Sequence, residues 1–205
     1  MNLETVGIKP ELQYECIYTT ISASGEKNAA AIGFKYLGDG KVKCNIFDGS
    51  KTLKNIQDTK QYVVNITQDP LTFVYSTISN LPEDYFTDDE KIAILKDAGS
   101  YLIIDVTEIN EKQPSEFPIK SEKSIFEITG QITEFVVNNK SEKAFNRGMG
   151  CLIDSLVNYT RYHIVDSGKK ALFDRRLEEN QRIINKVSDS ETMKAIDILK
   201  KNQEK

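Results

Sequence analysis

Between residues 14 and 137 the chain is mostly short runs of β-branched and aromatic residues, separated by Gly, Asp and Ser turns. Runs of that kind build sheets joined by tight connections, which makes most of the strand pairs antiparallel. Residues 14–21 (YECIYTTI) make the first strand, and Ser24-Gly25-Glu26-Lys27 reads as a hairpin turn. Residues 28–37 (NAAAIGFKYL) make the second, followed by the turn Gly38-Asp39-Gly40. In 41–47, Val42, Cys44 and Ile46 alternate with Lys41, Lys43 and Asn45, so one face is buried. A short helix over 53–58 precedes a fourth strand at 61–67, and 73–78 is expected to continue the sheet after Asp69-Pro70. Thr87-Asp88-Asp89-Glu90 matches a capping box, and Ile92, Leu95 and Ala98 follow at helical spacing, which predicts a helix over 87–99. Strands return at 100–109 and 124–137, around a polar loop containing Pro114 and Pro118.

The period then changes. Phe145, Met149, Leu152, Leu156, Tyr159 and His163 recur at steps of three and four, one stripe of a long helix. A charged second helix covers 171–187, and Ser188-x-x-Glu191 reads as a capping box opening a third. Strands followed by helices give an α+β class, and five or six short antiparallel strands tend to close into a barrel. The expected organisation is a barrel domain over 1–138, with the inserted helix 87–99, and a helical region over 139–205.

Charge narrows the partners. The net charge is −4, with basic and acidic residues interleaved. Nucleic-acid binding draws on a basic surplus, so none is expected. The start, Met1-Asn2-Leu3-Glu4-Thr5, carries no signal-peptide pattern, and no run reaches the length of a membrane span. These features predict a soluble, cytoplasmic protein. Cys16, Cys44 and Cys151 are too scattered for a disulfide framework and, with the single His163, too scattered for zinc. No metal site is expected. His163 lies on the apolar stripe and reads as a packed residue.

The stretch Asp48-Gly49-Ser50-Lys51-Thr52 precedes a helix start. Free N–H groups there, with two hydroxyls and a lysine, can form an anion site. A Ser-capped turn explains the same residues, and caps are the commoner occurrence. In Asn28-Ala29-Ala30-Ala31-Ile32-Gly33, small side chains let a flat ring lie against a strand, and Asn28 offers a donor and an acceptor. A tightly packed strand pair fits equally. Asn146-Arg147 and Arg161 mark the two ends of the first tail helix; each arginine can meet a phosphate or sit in a surface ion pair.

The order Thr19-Thr20, Gly25-x-x-Asn28-Ala29-Ala30, Ser50-x-Thr52-x-x-Asn55-Ile56 and Val63-Val64-Asn65-Ile66 resembles the flavin-reductase-like FMN-binding split β-barrels. The likeness is greatest to an archaeal branch of unknown function with helices after the barrel, and it spans roughly residues 10–165. It implies an antiparallel split barrel with C-terminal helices, FMN as cofactor, and a homodimer with FMN at its interface. It implies phosphate contacts from Ser50, Lys51 and Thr52 and ring contacts from Thr19, Thr20, Asn28, Ala29 and Ala30. Asn146, Arg147 and Arg161 match the branch's Asn-Arg and Thr-Arg positions around the tail helix. The implied activity is that of a flavin-dependent oxidoreductase or flavin reductase. A non-catalytic flavin carrier, store or sensor, or the same barrel holding a deazaflavin, fits the same residues. No catalytic side chain is nominated, because the flavin carries the redox chemistry.

Overall fold

A computed structural model describes residues 1–113, 123–139 and 141–203. The predicted loop around Pro114 and Pro118 lies outside the described residues. The chain forms two compact units, Met1–Phe145 and Asn146–Lys205.

The first unit is a closed antiparallel barrel. Its strands are β1 (Gln13–Ile21), β2 (Lys27–Gly38), β3 (Lys41–Phe47), β4 (Gln61–Ile66), β5 (Ser100–Lys112) and β6 (Ile125–Val137). They run round the barrel in the order β1-β2-β3-β6-β5-β4. The closing seam is short: β1 meets β4 only at Ile17↔Asn65, Tyr18↔Val64 and Thr19↔Val63. The period of two sets the faces. Tyr14, Cys16, Tyr18, Val42, Cys44 and Ile46 point into the barrel core. Ile17 and Ala29 point outward, under a second apolar layer made by Leu81, Phe86, Ala93, Leu95 and Ala98.

Helix α1 (Lys51–Thr59) joins β3 to β4, and its Leu53 and Ile56 close one end of the core. Helix α2 is Pro70–Ile78, which corrects the strand expected over 73–78. Asp69 accepts from the N–H groups of Leu71 (3.2 Å) and Thr72 (3.0 Å), and Pro70 occupies the first helical turn. Asp-Pro is therefore a cap followed by a first-turn proline, a helix start.

The helix expected over 87–99 does not form. That segment is irregular and crosses the outer face of the barrel, with Phe86 and Leu95 bridged. Asp89 turns its carboxylate back onto the N–H groups of Lys91 (2.8 Å) and Ile92 (3.1 Å). Such local side-chain bonds compete with a helix. The N–H of Leu95 is taken by Asn65 Oδ1 at 3.0 Å, a tertiary bond no helix could supply. The boundary expected at 138/139 also moves. Ala144 N donates to Val6 O and Glu15 N to Phe145 O, both at 2.8 Å, so the chain returns along the barrel before leaving it.

The second unit packs α3 (Gly148–Tyr159), α4 (Ser167–Val187) and α5 (Ser190–Gln203) around Leu152, Leu177, Ile184, Ile196 and Leu199. The long helix expected through His163 stops at Tyr159, and a 3₁₀ turn follows at Tyr162–Ile164. Leu152 is buried, whereas Met149 and Leu156 from the predicted stripe are exposed; Ser155 and Asn158 fill the inner face instead. Asp189, not Ser188, caps α5, accepting from Thr192 N at 2.9 Å. Ser188 ends α4, its N–H donating to Ile184 O at 3.0 Å.

Gly130 on β6 marks how closely the barrel wall is packed. A Cβ there would stand 2.3 Å from Ile104 Cγ2 and 3.0 Å from Asp105 O. Gly130→Ala is expected to destabilise the protein by about 1–3 kcal/mol, the range for overpacking a filled core. Urea unfolding followed by tyrosine fluorescence measures it; an unchanged midpoint would show that the wall yields.

Candidate functional site

Helix α1 begins at Ser50, whose extended backbone and side chain form its N-cap: Oγ accepts from Leu53 N at 3.1 Å. The cap reading of Ser50 therefore holds in the structure. It leaves the N–H groups of Lys51 and Thr52, in the first turn, ahead of the intrahelical bonds. Gly49 precedes them with φ +81°, which a glycine adopts readily. A hollow of about 210 Å³ borders Asp48, Gly49, Ser50, Lys51, Lys54 and Gln57. Lys51 Nζ is 3.2 Å from Glu26 Oε1, both side chains being exposed.

The barrel meets this helix start through two hydrogen bonds. Asn28 Nδ2 donates to Thr52 Oγ1 at 3.0 Å, and Asn55 Nδ2 donates to Thr20 Oγ1 at 3.0 Å. Thr20 and Asn28 are direct partners across β1 and β2. The structure thus brings Ser50, Thr52, Thr20 and Asn28 to one end of the barrel, although up to 32 positions separate them (Thr20 to Thr52). Thr20, Asn28, Thr52 and Asn55 are all buried.

Thr19 and Ala29 occupy the other face. Thr19 accepts from Asn65 Nδ2 at 2.8 Å and donates its own O–H to Ala93 O. Ala29 N donates to Asn80 Oδ1 at 2.9 Å, and Asn80 Nδ2 donates to Lys27 O at 3.0 Å. Ala30 pairs with Tyr18 and is half-buried. A larger cavity of about 550 Å³ opens where β1 parts from β4, beside Thr20, Ile21, Lys60, Lys91, Ile92 and Val106.

Asn146, Arg147 and Arg161 belong to the second unit. Asn146 Nδ2 donates to Val187 O at 2.6 Å and its Oδ1 accepts from Gly148 N at 2.9 Å. Its amide thus ties the start of α3 to the end of α4. Arg147 stands at the N-cap of α3, and exposed Arg161 precedes the 3₁₀ turn, its carbonyl accepting from Ile164 N at 3.1 Å. His163 is exposed rather than packed, edge-on to Tyr159 and Tyr162 at 6.2 and 5.5 Å between ring centres. Burial raises the thiol pKa of Cys16 and pushes that of Cys44 up to about 12. No cluster of metal-ligating residues occurs among the described residues, and no helix among them is long and apolar enough to cross a membrane.

Residue reasoning missed Asn55, Asn65 and Asn80 as organisers. Asn55 had a signal, since it follows Thr52 by three positions and so shares its helix face. Asn80 had none, lying in an irregular segment far from Ala29 in sequence.

The fold recurs in solved structures. An FMN-bound protein from Methanosarcina mazei, itself matched by the DUF447 family model, is 22% identical, over 98% of this chain and 99% of its own, with a TM-score of 0.54. Flavoredoxin from Methanosarcina acetivorans is 12% identical over 66% of this chain and 76% of its own, at 0.49. The 2-nitrobenzoate 2-nitroreductase of Pseudomonas fluorescens is 21% identical over 66% and 68%, at 0.47. The M. mazei match shows that the chain shares that protein's fold, which here is α+β with a closed six-stranded antiparallel barrel. A family model described as the N-terminal domain of a protein of unknown function (DUF447) matches residues 14–127, and a second, described as protein of unknown function (DUF447), matches 146–201. The chain belongs to the DUF447 family.

Proposed function

We propose that the chain binds FMN and works as a flavin-dependent oxidoreductase of the flavin-reductase kind, in the cytoplasm, as a homodimer with FMN at the subunit interface. The observation that carries this reading is the convergence of Thr20, Asn28 and Thr52 on the start of α1. That geometry fits a phosphate monoester: first-turn N–H groups and the positive end of the helix dipole face the anion, with Ser50 and Thr52 hydroxyls and Lys51 beside it. The inner ends of β1 and β2, at Thr20 and Ala30, would take the ring, and Asn28, expected from the sequence as a ring contact, holds the Thr52 hydroxyl beside them. Thr19 and Ala29 would shape that wall from behind through their bonds to Ala93, Asn65 and Asn80. Arg147 and Arg161 remain candidate anion partners on the helical unit, whereas Asn146 serves the joint between its helices. Bound FMN supplies the redox chemistry; the residues named here bind and orient it. The Methanosarcina mazei family member, solved with FMN bound, supports the choice of cofactor.

The test is an absorption spectrum of the purified protein, before and after denaturation, followed by FMN titration. A flavin spectrum, or uptake of added FMN at micromolar concentration, is expected. The double variant Ser50→Ala/Thr52→Ala should bind FMN about 100-fold more weakly, because a hydrogen bond to a charged group contributes about 1.5–3 kcal/mol. A protein that takes up no FMN sinks the reading. If it binds FMN but neither NADH, NADPH nor a reduced deazaflavin reduces the bound flavin faster than free FMN, the reductase part fails and a carrier is left.

A further inference from the structure

Three asparagine–threonine pairs hold the same arrangement in this barrel. Asn65 donates to Thr19, Asn55 to Thr20 and Asn28 to Thr52, at 2.8, 3.0 and 3.0 Å. A threonine hydroxyl that accepts from an amide keeps its own proton to give away. In the first pair the protein itself takes that proton, through the carbonyl of Ala93. The direction of the Asn65 amide is fixed independently: its Nδ2 also donates to Ile17 O at 3.1 Å and its Oδ1 accepts from Leu95 N. In the other two pairs no acceptor for the threonine proton occurs among the described residues. Thr20 and Thr52 are both more than nine-tenths buried, and both lie at the end of the barrel that meets α1.

We infer that Thr20 and Thr52 are a pair of oriented donors, and that Asn55 and Asn28 are positioning residues that set the direction of their protons toward ligand oxygens that only accept. This rests on the FMN reading and goes beyond it, because it assigns Asn28 and Asn55 a role behind the ligand-facing hydroxyls. Thr52, in the first turn of α1, faces the phosphate; Thr20 faces an acceptor on the ring side. The site is thereby selective for a phosphate monoester, whose outer oxygens accept hydrogen bonds when it is ionised. A group that arrives as a donor meets another donor.

The polarity is what distinguishes this from simple packing, and Asn28→Asp reverses it. A carboxylate accepts only, so it would draw the Thr52 proton back and present the ligand with a lone pair. The readout is the ratio of FMN affinity to riboflavin affinity, which isolates the phosphate contact and needs no turnover. Thr52→Val is expected to lower that ratio roughly tenfold to a hundredfold, the scale of one hydrogen bond to a charged group. Asn28→Asp should lower it at least as far, Asn28→Ala by less than fivefold because the hydroxyl can still rotate to donate, and Thr52→Ser should keep it near the wild-type value. Thr20→Val and Asn55→Asp should weaken FMN and riboflavin by equal factors. Circular dichroism and thermal unfolding of each variant report folding; if Asn28→Asp does not fold, the contrast of Asn28→Ala with Thr52→Val carries the test. An Asn28→Asp protein with the wild-type ratio, or an Asn28→Ala protein as impaired as Thr52→Val, overturns the inference while leaving FMN binding intact. A wild-type protein that binds neither FMN nor inorganic phosphate overturns it together with the flavin reading.

Discussion

Asn65→Ala is expected to lower stability by about 2–4 kcal/mol, because it strips partners from several buried groups at once. Asn65 is fully buried beside the short seam between β1 and β4. It receives the N–H of Leu95 and donates both to the carbonyl of Ile17 and to Thr19. Alanine leaves the Leu95 N–H inside the apolar layer with nothing to bond, and a buried orphan of this kind is costly at about 1–3 kcal/mol. It also loosens the segment that carries Ala93 and Leu95 against the barrel wall, leaving it the Thr19–Ala93 bond and its apolar contacts, since that segment has no helix of its own to hold it. At roughly 2–4 °C per kcal/mol for a chain of this size, the midpoint of thermal unfolding should fall by about 5–15 °C. Hydrogen exchange gives the local readout: the Leu95 amide should lose its protection before the amides of β5 do. A loss below about 1 kcal/mol with Leu95 still protected would mean that the strap is held by its apolar contacts and the Thr19–Ala93 bond without Asn65.

The barrel was legible because its strands carry their own period. Val42, Cys44 and Ile46 alternate with polar residues and all three point inward; the turn at Gly38-Asp39-Gly40 lies between β2 and β3, with Gly38, Asp39 and Gly40 all at positive φ. The errors fall where tertiary bonds decide conformation. Residues 87–99 have helical spacing and a capping sequence, yet Asp89 folds onto its own neighbours and Asn65 takes the Leu95 N–H. Residues 70–78 are rich in β-branched and aromatic residues, yet Asp69 and Pro70 start a helix whose Leu71, Val74, Tyr75 and Ile78 face solvent. Of the candidate site, the sequence offered the residues to weigh but not the directions of their bonds. Thr19 and Thr20 are adjacent in sequence and look equivalent; the pleat of β1 sends one to Ala93 and the other to Asn55. Asn28 looks like a ring contact because of its two-sided amide, and only the barrel shows that its Nδ2 reaches Thr52.

The core of the barrel predicts an alkaline weakness. Tyr18 and Tyr62 stack at 4.9 Å with an interplanar angle of 12°, fully buried, and the Cys44 thiol lies beside them. Burial, which penalises the charged form, raises all three groups: the thiol goes from 9.0 to about 12, and both phenols rise well above 10.0. These groups stay neutral in the folded protein at pH values where the unfolded chain ionises them. Unfolding therefore releases protons above pH 9, and stability falls as pH rises. The contribution is fully present below pH 9 and is lost between 9 and about 12, the values of the unfolded and folded thiol. For Cys44 alone the loss is about 2 kcal/mol by pH 10.5 and about 4 kcal/mol by pH 12, at about 1.4 kcal/mol for each tenfold step. Urea unfolding at a series of pH values from 7 to 10.5 measures the slope. Cys44→Val, which keeps an apolar side chain in place of the thiol, should flatten it by about the same 2 kcal/mol at pH 10.5 while leaving the phenols' share. If the wild-type protein and Cys44→Val lose stability in parallel across that range, the thiol ionises as easily inside the barrel as outside it, and water reaches the core.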